Sequence, residues 1–281
     1  MAKRYPNKID YIEFVEIYTN RVNQVYQFWT DEMQQKIARH NVDWNIPYNF
    51  KRYLDKSAKR FYNAYLEIPD GAKTCLDIGG FWGVYSLTLK DLGYTSVMTE
   101  AKKYYDDSFN PLFMFIESQG VKIIDIDPFQ EQLESVFYDY ISIMAVLEHI
   151  SYSLKPFLHN VRQTLTSNGV IYIDVPNILY YFKRRDVILG KSPLPNIKSI
   201  YESEIPFIGH HHEYTLEELL YLGQIVEIKP INIFHFNYSI EMNFNFMMKH
   251  PIAAIVLSSF KNTREIIGVS FKLANKNTCV E

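Results

Sequence analysis

The sequence predicts an α/β fold: a seven-stranded, mostly parallel sheet with helices on both faces, preceded by an N-terminal helical cap. Three observations predict it. Residues 9 to 68 carry apolar side chains at helical spacing. From residue 74 onward, short apolar runs alternate with helical stretches. Turn and cap signals separate them: Pro69-Asp70-Gly71, Gly93, Ser167-Asn168-Gly169 and Pro176-Asn177. Strands alternating with helices build a parallel sheet with right-handed crossovers, because a parallel neighbour needs a long return connection.

In the cap, Ile12, Val15, Tyr18, Val22, Val25 and Trp29 recur every three or four residues and so share one helix face. Pro47 is expected to end that region, and a second helix to run over 50–66. Strands are expected over 74–78, 96–99, 121–126, 140–144 and 170–175. Helices are expected over 84–92, closed by Gly93, and over 155–165. From 177 to 212 the pattern lapses, and several prolines suggest an irregular insertion. Thr215-Leu216-Glu217-Glu218 is a capping box that opens a short helix. Two last strands are expected over 225–228 and 266–273. The organisation is therefore a cap over 1–68 and a main domain over 69–281, with an insertion near 177–212.

Hydrophobic residues make up 47% of the 281 residues and aromatics 16%, enough for a packed core and too much for global disorder. Lys and Arg number 29 against 32 Asp and Glu, and a net charge of -3 gives no footprint for non-specific nucleic-acid binding. Cys75 lies in an apolar run and Cys279 in the tail, so two such distant cysteines make neither a disulfide framework nor a zinc set. The first residues lack the apolar stretch of a signal peptide, and the apolar segment 251–260 is too short to span a bilayer. A cytoplasmic protein with no membrane span is the expectation.

The chemistry is expected at Asp77-Ile78-Gly79-Gly80-Phe81-Trp82-Gly83, where the first strand ends and a helix begins. Ligands of open parallel sheets bind at such places. Glycine lets backbone approach a ligand, and a helix N-terminus offers free N–H groups to an anion. The dinucleotide spacing G-x-G-x-x-G fails here: from Gly79 its glycine positions fall on Phe81 and Val84, from Gly80 on Trp82 and Tyr85.

The loop reads Asp-x-Gly-x-x-x-Gly and resembles motif I of class I methyltransferases, usually Asp/Glu-x-Gly-x-Gly-x-Gly, with Phe81 where the middle glycine stands. Further segments follow in the family's order. Glu100 closes the second strand, and Asp127 follows the third. Tyr138-Asp139-Tyr140, with Val146-Leu147-Glu148-His149-Ile150, resembles the family's Phe-Asp-x-Val…Val-Leu-Glu-His-Ile segment. Leu165-Thr166-Ser167-Asn168-Gly169-Val170 and Val175-Pro176-Asn177 resemble the family's later Leu-Lys-Pro-Gly-Gly and Val-Pro-Asn segments, and Gly209-His210-His211-His212-Glu213-Tyr214-Thr215 resembles a segment of the ubiquinone- and sugar-type subgroup. Together they cover roughly residues 70 to 273.

The resemblance implies a Rossmann-like sheet and S-adenosyl-L-methionine as cofactor. It implies cofactor contacts from Asp77, Gly79, Gly80, Phe81, Gly83, Glu100, Asp127, Pro128 and Met144. Glu100 would take the ribose hydroxyls and Asp127 the adenine amino group; Asp125 is the alternative if the strand ends earlier. The methyl arrives activated, so the protein supplies positioning, worth about 7–11 kcal/mol, and in some reactions a base, worth about 10²–10⁴-fold. Base candidates are His149, His210 and His211, with His212 and Tyr214 behind them. The plainer reading of His149 is a structural histidine in the Leu-Glu-His turn. Adjacent histidines on an extended chain point different ways, so the 210–212 run is not expected to bind a metal. Lys183-Arg184-Arg185 reads as a solvated charge run or, alternatively, as a phosphate contact.

The implied function is O-methylation of a small molecule, with a sugar or sugar conjugate of a bacterial glycan or secondary-metabolite pathway as first choice. The alternative is a cofactor-binding module without catalysis, which Phe81 favours. A nicotinamide enzyme is opposed by the failed fingerprint.

Overall fold

A computed structural model describes residues 8–42, 50–127, 131–133 and 136–274. Its centre is a seven-stranded sheet of order β3-β2-β1-β4-β5-β7-β6. The strands are β1 (Thr74–Ile78), β2 (Thr95–Glu100), β3 (Lys122–Asp125), β4 (Tyr138–Met144), β5 (Leu165–Pro176), β6 (Ile228–Phe236) and β7 (Ile266–Leu273). β1 to β5 pair in parallel. β7 runs antiparallel to both neighbours. Strand order reverses between β1 and β4, which opens a crevice beyond their C-terminal ends.

Side chains alternate across the sheet with period two, and the two faces form two cores. Cys75, Tyr140 and Tyr172 face one side. Leu76, Ile141, Ile143 and Ile171 face the other. On the first face lie α1 (Tyr11–Tyr26), α3 (Phe50–Leu66) and α4 (Val84–Asp91), whose buried residues join that core. α1 is capped by the Asp10 carboxylate, which accepts from Glu13 N–H. It buries Phe14, Tyr18, Val22 and Val25. The Tyr18 hydroxyl donates to the Leu54 carbonyl at 2.6 Å, so this buried polar tip is satisfied. Arg21 Nε reaches Asp91 at 2.6 Å and ties α1 to α4. The apolar row differs from the expected one at its start: Ile12 is 78% exposed and Phe14 takes the inner position. Pro47 lies outside the described residues.

The second face is covered by α6 (Lys155–Gln163) and α9 (Leu216–Ile225), with Phe157, Val161 and Leu219 buried. The capping box at Thr215 and Glu218 forms as the sequence indicates. α2 (Asp31–His40) lines the crevice through Lys36, Ile37 and His40, and α5 (Asn110–Ser118), which joins the first core, was not anticipated from the sequence.

Several boundaries move. α6 ends at Gln163, and Ser167-Asn168-Gly169 is not a turn after a helix but part of β5. Leu165 pairs with Tyr138 and Val170 with Tyr140, so the residues between them bulge from the ladder. Residues 225–227 are not a strand, and β6 begins only at Ile228. α9 continues to Ile225, and β6 runs on to Phe236. β6 is an edge strand with mostly exposed side chains, so burial imposes no apolar alternation on it. The 177–212 segment is less irregular than its sequence suggests: it carries α7 (Tyr181–Ile188) and α8 (Ile197–Glu202). α10 (Phe244–Lys249) and α11 (Pro251–Ser259) fill the connection from β6 to β7. No described helix is long and apolar enough to cross a membrane.

Candidate active site

A cavity of about 980 Å³ opens at the C-terminal ends of β1, β2 and β4. Asp77, Gly79, Gly80, Phe81, Glu100, Asp127, Met144, His149, His210 and His211 all line it. Gly83 stands behind the lining, where α4 begins. Pro128 lies outside the described residues.

The glycine loop is shaped by close packing. Gly83 has φ +75°, and a Cβ there would stand 2.5 Å from Ile116 Cδ1 on α5. A Cβ on Gly80 would stand 2.6 Å from Asp77 Oδ2. Asp77 itself is a brace: Ser142 donates to Oδ1 at 2.7 Å and Ser86 to Oδ2 at 3.1 Å. Burial pushes its carboxyl up to about 6, against the pull of those two hydroxyls. Gly79 and Gly80 N–H donate to Thr99 Oγ1 and to the Thr99 carbonyl, each at 3.3 Å, which locks the loop to β2. Phe81 lines the cavity. Its ring centroid lies 3.8 Å from that of Trp82 and 4.8 Å from that of Tyr105, in an aromatic wall that includes Phe109 and Phe113.

Glu100 ends β2 at 8% exposure. The Tyr105 hydroxyl donates to Oε1 at 2.9 Å, while buried Oε2 has no hydrogen-bond partner. Burial lifts this carboxyl to about 7, with the Tyr105 hydroxyl opposing. An orphaned carboxylate oxygen at this point suits a ribose hydroxyl as donor. Asp127 is buried, and Oδ2 accepts from the Tyr104 hydroxyl at 2.9 Å and from Lys103 Nζ at 3.1 Å. Asp125 is exposed, and its Oδ1 takes the Lys102 N–H at 2.9 Å. The glycine cradle, the orphaned Glu100 oxygen and buried Asp127 fit S-adenosylmethionine.

At the far side of Met144, the turn Leu147–His149 carries Glu148 and His149. Glu148 is 0% exposed, and neither of its oxygens has a hydrogen-bond partner. Burial pushes its carboxyl up to about 8, with Arg60 pulling the other way. His149 Nδ1 lies 2.7 Å from the Ile208 carbonyl. A carbonyl only accepts, so Nδ1 carries the proton. His210 Nδ1 lies 2.9 Å from Glu213 Oε1, and the His149 and His210 rings stand 5.0 Å apart, edge on. Desolvation lowers His149, whose residue is nevertheless exposed, and desolvation with His149, Lys183 and Arg60 nearby pushes His210 down to about 3. His211 lines the cavity but is anchored: its N–H donates to the Glu148 carbonyl at 2.7 Å, and Nε2 sits 3.1 Å from the Phe207 carbonyl. His212 pairs with Glu218, and the buried Tyr214 hydroxyl donates to the Leu147 carbonyl at 3.1 Å. Those two serve the scaffold.

Sequence reading missed the charged floor of the cavity. Arg60, 3% exposed on α3, donates from Nε to both oxygens of Asp174 at 3.0 Å. The Tyr172 hydroxyl donates to Asp174 at 3.2 Å. The available signal was Asp174 itself, a carboxylate inside the apolar run Val170-Ile171-Tyr172-Ile173. Lys183 is likewise no member of a solvated run: it pairs with buried Glu213, while Arg184 and Arg185 face solvent.

Comparison with known proteins bears on the fold and the family. A family described as methyltransferase domain matches residues 50–220. No curated protein matches the chain. Among solved structures, a SAM-dependent methyltransferase from Archaeoglobus fulgidus is similar at TM-score 0.52 and 15% identity, covering 79% of this chain and 94% of that one. One from Mesorhizobium loti has TM-score 0.51 and 11% identity, over 77% and 97%. The 1,6-didemethyltoxoflavin-N1-methyltransferase of Burkholderia thailandensis, solved with S-adenosylhomocysteine, has TM-score 0.51 and 13% identity, over 96% and 92%. At such identities the likeness is one of fold, whereas the family match spans more than half of the chain. The chain belongs to the methyltransferase domain family and has the fold of S-adenosylmethionine-dependent methyltransferases.

Proposed function

We propose that the chain methylates a hydroxyl of a small molecule, a sugar or sugar conjugate. The observation that carries this reading is the group Glu148, His149 and His210, each of which brings a ligand atom within 4.8 Å of the other two in the cavity that Met144 also lines. A cavity of about 980 Å³ has room for a cofactor and a compact acceptor.

In this reading Glu100 accepts from the ribose hydroxyls, Asp127 from the adenine amino group, and the loop Gly79–Gly83 with the α4 N-terminus holds the methionine end. Bound, S-adenosylmethionine supplies a methyl on a positively charged sulfur, ready for in-line attack. The chain's own groups orient the acceptor, exclude water and relieve the hydroxyl of its proton. The Glu148, His149 and His210 group serves that last role. Tyr53, Phe61, Tyr85 and Tyr238 line the cavity and offer rings for a sugar face.

The test is release of S-adenosylhomocysteine with a panel of sugar, sugar-nucleotide and phenol acceptors. Turnover on a sugar supports the proposal. Turnover confined to amines overturns it. Micromolar S-adenosylhomocysteine binding without turnover on any acceptor leaves a binding module instead.

A further inference from the structure

We propose that Glu148, His149 and His210 form a binding site for a divalent transition-metal ion. One ligand atom from each of the three lies within 4.8 Å of the other two. The inference rests on that geometry and not on the identity of the acceptor.

Three independent features favour it. The first is the orphaned carboxylate: Glu148 is 0% exposed, and both of its oxygens lack hydrogen-bond partners. A buried carboxylate without donors is costly, and a cation removes the cost. The nearby cations are already engaged, Arg60 with Asp174 and Lys183 with Glu213.

The second is the orientation of both rings. Each histidine donates from Nδ1 to an acceptor, His149 to the Ile208 carbonyl and His210 to the Glu213 carboxylate. This fixes the tautomer and leaves Nε2 of each as a lone pair. Metal-ligating histidines are held in this way, by a carbonyl or carboxylate on the remote nitrogen. The third is the donor set. Two imidazoles and one carboxylate suit Zn²⁺, Mn²⁺, Fe²⁺ or Co²⁺, whereas Ca²⁺ and Mg²⁺ prefer oxygen. Three protein ligands also leave a position open toward the cavity for an acceptor oxygen. Filled, the site would lower the pKa of an acceptor hydroxyl as a Lewis acid, and water would take the proton that the unfilled group would accept.

The run of three histidines in sequence is not the site. Only His210 of that run joins Glu148 and His149, while His211 and His212 are held by Phe207 and Glu218.

The experiment titrates the full-length, chelator-treated chain with Co²⁺, read by visible absorption, and with Zn²⁺ by calorimetry. One ion per chain with micromolar affinity is expected. Glu148→Gln and His210→Ala should each weaken it by at least the roughly 10–100-fold that loss of a second-sphere partner costs, while S-adenosylhomocysteine binding persists. His212→Ala should leave metal affinity unchanged. In the unmutated chain, Co²⁺ should shift the imidazole ¹⁵N resonances of His149 and His210, a readout independent of any variant's folding. No saturable binding, unchanged affinity in both variants, or shifts confined to other histidines overturns the proposal. Failure of every sugar acceptor would sink the proposed function alone.

Discussion

The Tyr105 hydroxyl donates to Glu100 Oε1 at 2.9 Å, and Glu100 Oε2 beside it has no partner. The carboxylate is thus half satisfied and positioned for one more donor. A hydrogen bond to a charged group contributes about 1.5–3 kcal/mol. Glu100→Ala should therefore weaken S-adenosylhomocysteine binding by roughly ten- to hundredfold in calorimetry. Tyr105→Phe should weaken it less, because it removes a support and not the acceptor. Equal affinity in wild type and Glu100→Ala would remove Glu100 from the ribose site.

The same carboxyl sets a pH dependence of stability. Its folded value is raised from 4.5 to about 7, and that of Asp77 from 3.8 to about 6. The folded chain holds these protons over a range where the unfolded chain has released them. Stability is then greatest below the unfolded values and is lost as pH rises toward about 7. Thermal melts of the cofactor-free chain should fall between pH 5 and pH 7.5, and Glu100→Gln should flatten the fall. A pH slope left unchanged by Glu100→Gln would contradict the burial of Glu100.

Gly83→Ala should destabilise the chain. The residue has φ +75°, and the new methyl would stand 2.5 Å from Ile116 Cδ1. The left-handed backbone alone costs about 1–2 kcal/mol, and overpacking about 1–3 kcal/mol. Urea denaturation measures the total. Ile116→Ala in the same chain should recover the overpacking part and not the backbone part.

Arg60 and Asp174 are 3% and 0% exposed and form a two-point ion pair. Removing one partner strands a buried charge, at about 3–5 kcal/mol. Asp174→Asn or Arg60→Met alone should be strongly destabilising. The double substitution should cost less than the sum of the singles, because it strands neither charge. Additive losses in urea melts would show that the two residues act separately.

Much of the fold is legible in the sequence because local physics writes it there. β1 and β7 fall over 74–78 and 266–273 as expected, and α3 over 50–66. Those elements have a face or an entire strand to bury, so burial imposes a period. β6, exposed at the sheet edge, has no such demand and was misplaced. α10 and α11, in the β6–β7 connection, passed unread for a different reason. Phe244, Met248, Ile252 and Ile255 are exposed, so apolar residues do not mark their inner faces.

The site divides in the same way. The glycine loop, Glu100 and Asp127 were legible because each stands at the end of a strand whose position the sequence marks. The sequence by itself therefore determined most of the sheet, the residues that line this end of the crevice and the family resemblance. The tertiary structure alone decided that Glu148 and His149, after β4, meet His210, from the loop before α9. It also brought Arg60 on α3 to Asp174 on β5. Such meetings depend on how layers pack on the sheet, and no local period encodes a distance between segments so far apart in the chain.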